Sequence, residues 1–237
     1  MTDRSHPSGA PWRNFYGRRH GKTLRDSQKQ ALESDLGAQT LRGAGWEENP
    51  NRNLLDLKAI FRNRPVWLEI GFGGGEHMVH LAQQYPEVGL IGCEPFINGV
   101  AMLLTHLQEA SADNIRIHAD DARHLFDVLP EGSIERAYLL YPDPWPKARH
   151  HRRRFVTPDH LIPLCRVMAK GAELRVATDI SDYVRQTLKE VPQAGFEQVM
   201  DATADIHTPW KGWSSTRYER KAQRAGRPAH YLVFRKA

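Results

Sequence analysis

From residue 66 onward, short apolar runs alternate with stretches of helical period. The runs at 66–70, 89–94, 115–119, 134–140 and 172–177 are rich in Val, Ile, Leu and Ala, which predicts strands buried on both faces. Between them, 76–85, 96–110, 122–129, 158–168 and 182–191 carry apolar residues at helical spacing. Two further apolar runs, 196–199 and 231–234, predict strands that complete the sheet. Such alternation predicts an α/β fold with a mostly parallel sheet covered by helices on both faces. Ahead of it, the pattern predicts a helix over 27–36 stopped by Gly37, and a second helix capped by Asn53, running through Phe61 and ended by Pro65. Residues 1–20 mix Pro, Gly, Arg and His without a period, which predicts a mobile extension.

Charge changes this picture. The net charge of the 237 residues is only +5, but the basic residues are clustered. Residues 1–25 hold six Lys/Arg against the single acid Asp3, and 211–227 hold six against Glu219. The run 147–154 holds five in eight residues with no acid. Clusters of one sign suit a phosphate-bearing partner. On this reading the chain divides into a basic, partly disordered, RNA-contacting extension (1–50) and one domain (51–237). The two cysteines, Cys93 and Cys165, sit in apolar stretches outside any metal spacing, and none of the twelve histidines has ligands at metal spacing, so no metal is expected. A polar start and the lack of a long apolar segment predict a cytoplasmic protein without a membrane span.

The chemistry gathers at strand ends. After the first strand comes Glu69-Ile70-Gly71-Phe72-Gly73-Gly74-Gly75. Glycines there let backbone approach a ligand closely. The dinucleotide fingerprint needs a glycine at 76, and that position is Glu. An acid ahead of G-x-G-x-G suits a ligand carrying an ammonium and a sulfonium better than a pyrophosphate. Glu94 ends the second strand, where a carboxylate accepts from ribose hydroxyls. Asp121 follows the third, placed either for an adenine amine or as a helix cap. Acids at three successive strand ends beside this glycine loop resemble the class I S-adenosylmethionine-dependent methyltransferases. That resemblance implies a Rossmann-like, mostly parallel seven-stranded sheet, and S-adenosyl-L-methionine as cofactor at Glu69, Gly71, Gly73, Glu94 and Asp121.

The fourth strand runs into Tyr141-Pro142-Asp143-Pro144-Trp145-Pro146-Lys147, where three prolines stiffen a loop presenting Asp143 and Trp145. This loop, the basic run after it, Ala177-Thr178-Asp179 and Thr216-Arg217-Tyr218-Glu219 resemble the bacterial tRNA (guanine-N7)-methyltransferases. The likeness covers residues from about 66 to the C-terminus. Two positions depart from it: Tyr141 replaces the usual Phe, and Pro146 replaces the usual His. The resemblance implies methylation of N7 of guanine 46 in the tRNA variable loop. It implies a catalytic position for Asp143 and substrate binding by Lys147, Asp179, Thr216, Arg217, Tyr218 and Glu219. Arg149, Arg152, Arg153 and Arg154 read as phosphate contacts. Two other readings stay open from sequence: an amino-methyltransferase acting on a nucleic-acid base, and a non-catalytic RNA-binding protein on the same fold. Monomer and homodimer are both compatible with the chain.

Overall fold

The computed structural model describes residues 13–110, 112–199 and 205–237. Helices α1 (Asp26–Ser34), α2 (Leu36–Gln39) and α3 (Leu57–Phe61) precede strand β1 (Val66–Ile70). Then come α4 (Glu76–Gln84), β2 (Gly89–Cys93), α5 (Ile97–Ala110), β3 (Ile115–His118), α6 (Ala122–Phe126) and β4 (Ile134–Leu140). A 3-10 turn at Ala148–Arg153 leads to α7 (Pro158–Val167), β5 (Met168–Thr178), α8 (Ser181–Gln193), β6 (Phe196–Gln198), α9 (Arg217–Arg224) and β7 (His230–Lys236). The seven strands form one sheet in the order β3-β2-β1-β4-β5-β7-β6. β1 to β5 pair in parallel, and β7 inserts antiparallel to both β5 and β6.

Strand alternation sorts the core into two layers. Leu68, Ile70, Leu139 and Val176 face α6, α7 and α8 through Leu125, Leu161 and Tyr183. Trp67, Leu90 and Tyr138 face α4 and α5 through Met78, Leu81, Leu103 and Leu104. β1 and β2 are buried along their whole length, as strands covered on both faces are, whereas β3 and β5 set partly exposed Arg116, Glu173 and Arg175 between buried residues. The strand order reverses at β1, so the carboxyl ends of β1, β2 and β4 open a crevice there.

The amino-terminal part differs from its expected form. Gly37 lies inside α2 instead of stopping a helix. The third helix begins at Leu57, because the Asp56 side chain, not that of Asn53, accepts from Ala59 N. Asn53 is drawn into a separate turn in which its N–H donates to Asn49 Oδ1 and its carbonyl accepts from Asn49 Nδ2. Ala31 of α1 is fully buried, and Leu41 N donates to Ile117 O of β3, so this region joins the domain's packing. Residues 13–20, read from sequence as mobile, are tied to it as well, through Arg13 with Asp127 and Arg19 with Asp120. Residues 1–12 lie outside the described residues.

Candidate active site

A cleft of about 1040 Å³ opens at the carboxyl ends of the central strands. Gly71, Gly73, Glu94 and Asp121 line one side, and Tyr141, Asp143, Trp145, Arg152, Arg153 and Tyr218 line the other.

On the first side the backbone does most of the shaping. Gly73 has φ +57°, and a Cβ there would lie 3.0 Å from Tyr218 Cε2. Its N–H donates to Glu94 Oε2 at 2.8 Å, while Phe96 N donates to Oε1 at 2.9 Å. α5 comes so near that a Cβ on Gly99 would meet Gly73 O at 2.2 Å. Glu94 is 8 % exposed, and burial pushes its carboxyl up to about 7 although the Phe96 and Gly73 amides oppose this. Asp121 serves as the N-cap of α6, accepting from Arg123 N at 2.9 Å, and also receives the Arg123 guanidinium. Burial raises its carboxyl, but the Arg123 hydrogen bonds win and hold it below the usual range. Capping and lining the cleft are therefore joined in one side chain. Glu69 is placed differently from the sequence expectation. It is buried beneath the loop with His77 Nδ1 2.7 Å from Oε2, away from the cleft wall. Among the described residues no group of three or more His, Cys, Asp and Glu is placed to hold a metal ion.

These features fit S-adenosylmethionine. The Gly71–Gly73 backbone leaves room where a side chain would intrude, and Glu94 and Asp121 supply acceptors at two strand ends.

On the second side the chain is held by side chains. Tyr141 and Trp145 both have positive φ, +48° and +39°, a strained region for bulky residues. Between them Asp143 is exposed at the cleft edge; crowding by surrounding protein raises its carboxyl, and the charge of Arg18 pulls it back. The loop is fixed from below by Arg154. This residue was expected at a phosphate, but its side chain is fully buried. It donates to Pro144 O at 2.8 Å, Gln186 Oε1 at 2.9 Å and Asp182 Oδ2 at 2.7 Å. A buried guanidinium with those partners braces the loop and is unavailable to RNA. Lys147, Arg149 and Arg152 are exposed around the same turn, and Arg153 is half-buried against aromatic rings.

Asp179 accepts from Arg227 Nε at 2.6 Å and lies off the cleft lining. Thr216 caps α9 by accepting from Glu219 N at 3.1 Å. Glu219, expected at the substrate, is 2 % exposed and accepts from Trp213 Nε1 at 3.0 Å and from the Tyr231 hydroxyl. It anchors α9 in the core and so presents Tyr218, which does reach the cleft. Arg217 turns towards Met102 Sδ and the Tyr218 hydroxyl. The sequence reading missed Phe15, Tyr16 and Arg18, which line the cleft; the interleaving of aromatic and basic residues in Phe15-Tyr16-Gly17-Arg18-Arg19 was the signal.

Comparison with known proteins agrees with this geometry. A family model described as "Putative methyltransferase" matches residues 63–232. The tRNA (guanine-N(7)-)-methyltransferase of Paracoccus denitrificans (strain Pd 1222) is 64 % identical over 227 residues, covering 95 % of this chain and 96 % of that protein. The tRNA (guanine-N(7)-)-methyltransferase of Rhizobium johnstonii is 45 % identical over 237 residues and 100 % of both chains. Among solved structures, the 16S rRNA methyltransferase KamB superposes with a TM-score of 0.59 at 14 % identity, covering 78 % of this chain and 95 % of its own. That last likeness is one of fold.

Proposed function

This chain belongs to the tRNA (guanine-N(7)-)-methyltransferase family, and from that premise we propose that it transfers the methyl group of S-adenosylmethionine to N7 of a guanine in tRNA, at position 46 of the variable loop. The observation that carries the reading is one cleft in which a glycine-shaped pocket for the methyl donor meets a stiff loop bearing Asp143.

The bound cofactor supplies an electrophilic methyl on a sulfonium. Guanine N7 has an in-plane lone pair and no proton, so a nitrogen–carbon bond forms as the carbon–sulfur bond breaks, and the positive charge moves to the purine. No general base is needed. What remains for the protein is alignment and negative potential. The Gly71 and Gly73 backbone and the Glu94 and Asp121 carboxylates hold the donor, and Glu69 adds a negative field beneath it. Asp143 accepts from the adjacent N1–H and N2–H donors of guanine, on the edge across the purine from N7, and holds them more strongly as the base becomes a cation. Its exposure in the free protein keeps it open to a base swung out of the tRNA fold. Tyr218 closes over the glycine loop. Thr216, Arg217 and Glu219 build the end of α9 that presents it, and Asp179 fixes Arg227 near the same edge. Lys147, Arg149 and Arg152 meet phosphates, a contact that positions the tRNA without reading its sequence. This chemistry belongs in the cytoplasm, where unmodified tRNA is met. Among the described residues no helix is long and apolar enough to cross a membrane.

N7 methylation opens the base to borohydride reduction, after which aniline cuts the chain. Unmodified tRNA incubated with the protein and S-adenosylmethionine should be cut at one variable-loop guanine. Methyl label retained on tRNA without that cleavage would replace this reading by amino-methylation of a base.

A further inference from the structure

The cleft has a wall that belongs to neither half of the sheet. Residues 13–22 form a strap with anchors at both ends. The Arg13 guanidinium donates to both Asp127 oxygens, at 2.8 and 2.9 Å. Farther along, Arg19 pairs with Asp120 at 2.8 Å and its carbonyl accepts from Ile97 N, while Asn98 accepts from Gly21 N and donates to Lys22 O. Between these anchors Tyr16 comes to the cleft mouth, 37 % exposed. Its ring meets Trp145 edge-on, with centroids 6.4 Å apart and an interplanar angle of 76°. The Arg153 guanidinium lies 4.7 Å from the Tyr16 centroid and 5.0 Å from that of Trp145. A planar cation thus rests against two aromatic rings within the same cleft as Asp143.

We infer that Tyr16 is a substrate-binding residue: with Trp145 it forms the aromatic wall on which the target guanine stacks, and Arg153 holds that place until tRNA arrives. The inference rests on the guanine-N7 activity proposed above. Three observations support it. The strap's anchors hold the tyrosine ring ready, so little order is lost on binding. Trp145 is kept at φ +39° by the Arg154 brace, and strain of that kind persists where the surroundings fix a side chain for use. Aromatic faces attract a planar cation, as they now attract Arg153, and N7 methylation turns the base into one. The same rings therefore hold the base more firmly as charge arrives. Released from the rings, Arg153 is free to meet a phosphate beside Arg152.

A binding cycle on the full chain tests this, using unmodified tRNA and the same tRNA with an abasic site in place of the guanine that the wild-type protein methylates. Stacking on one aromatic side chain is worth roughly tenfold in affinity. Tyr16→Ala should lose about that factor on intact tRNA, and removing the base should cost wild type at least as much, because the base also leaves Asp143 and Trp145. The two changes together should cost no more than base removal alone, because the Tyr16 contact is already gone. Tyr16→Phe should restore tRNA affinity, and affinity for S-adenosylhomocysteine should stay within about threefold throughout. A further loss of roughly tenfold from Tyr16→Ala on the abasic tRNA, failure of Phe to restore binding, or a parallel fall in S-adenosylhomocysteine affinity would each overturn the assignment. The wild-type product is read in the same preparation. Absence of 7-methylguanine there would sink the activity itself, whereas that further loss with methylation intact sinks only the role of Tyr16.

Discussion

At the ends of β2 and β3, Glu94 and Asp121 are buried and already receive backbone N–H groups from Gly73, Phe96 and Arg123. At the end of β4, Asp143 is exposed between two residues of positive φ, and the loop carrying it is held by one buried guanidinium. The first region is rigid because the backbone itself makes the hydrogen bonds. The second is rigid only as far as Arg154, the strap and the anchored α9 keep it so. A small cofactor of fixed shape suits the first arrangement. A base that must leave a folded RNA suits the second, where an open acid and exposed cations await it. The difference predicts that the two regions fail separately.

The largest effect is expected in the first region. Gly73→Val forces a branched residue into φ +57° and against Tyr218, so S-adenosylhomocysteine affinity should fall on the order of 100-fold by calorimetry, the scale of a few kcal/mol of over-packing. Unchanged binding by a folded variant would move the cofactor elsewhere. In the second region, Arg154→Met leaves Gln186 Oε1 and Pro144 O without this donor, while Asp182 keeps Arg185 and His151. Leaving such acceptors unpaired costs roughly 1–3 kcal/mol, which lowers Tm by roughly 2–12 °C for a chain of this size. The salt dependence of tRNA binding should not change in that variant; a flatter slope would return Arg154 to the phosphates.

These two variants also mark how much was legible beforehand. β1 and β4 were readable to the residue, because their mostly apolar runs, broken only by Glu69 and by Glu135-Arg136, end at Gly71 and at the Tyr141-Pro142 step. The Gly71–Gly75 loop was readable because positive φ and close approach leave few residue types able to serve. The start of α3 was not: Asn53 and Asp56 are equally good caps in sequence, and tertiary packing chose the second. Nor was Arg154. In a run of four arginines and two histidines, neighbours differ only in which way the 3-10 turn aims them, and the turn sends Arg152 outward and Arg154 under the loop. Glu219 was hidden for the same reason, since α9 is polar along its whole length and only Trp213 and Tyr231, packed against it, make one acid a core residue.

Smaller effects sharpen the contrast. In the proposed site Glu94 would accept both ribose hydroxyls best as a carboxylate, and burial pushes its carboxyl up to about 7. S-adenosylhomocysteine affinity should therefore rise up to tenfold per pH unit below about 7 and level off above it, with proton release on binding near neutrality. The same shift, upward from 4.5, means that Glu94 favours the folded state at acid pH and that this contribution fades as pH rises through 7. A pH-independent affinity across this window would remove Glu94 from the ribose. Smallest of all, Arg149→Ala and Arg152→Ala should each reduce the slope of log affinity for tRNA against log salt by about 0.7–0.9. Methyl-donor affinity should not respond.

Separability of the two regions is tested most directly by Asp143→Ala, measured twice on one preparation. Titration with S-adenosylhomocysteine reports the first region, and single-turnover methyl transfer to tRNA reports the second. The expected result is cofactor affinity within about threefold of wild type, with methyl transfer slower on the order of 10²-fold or more, as for loss of a group that stabilises developing charge. Turnover at the wild-type rate, or a fall in cofactor affinity that matches the fall in turnover, would contradict it.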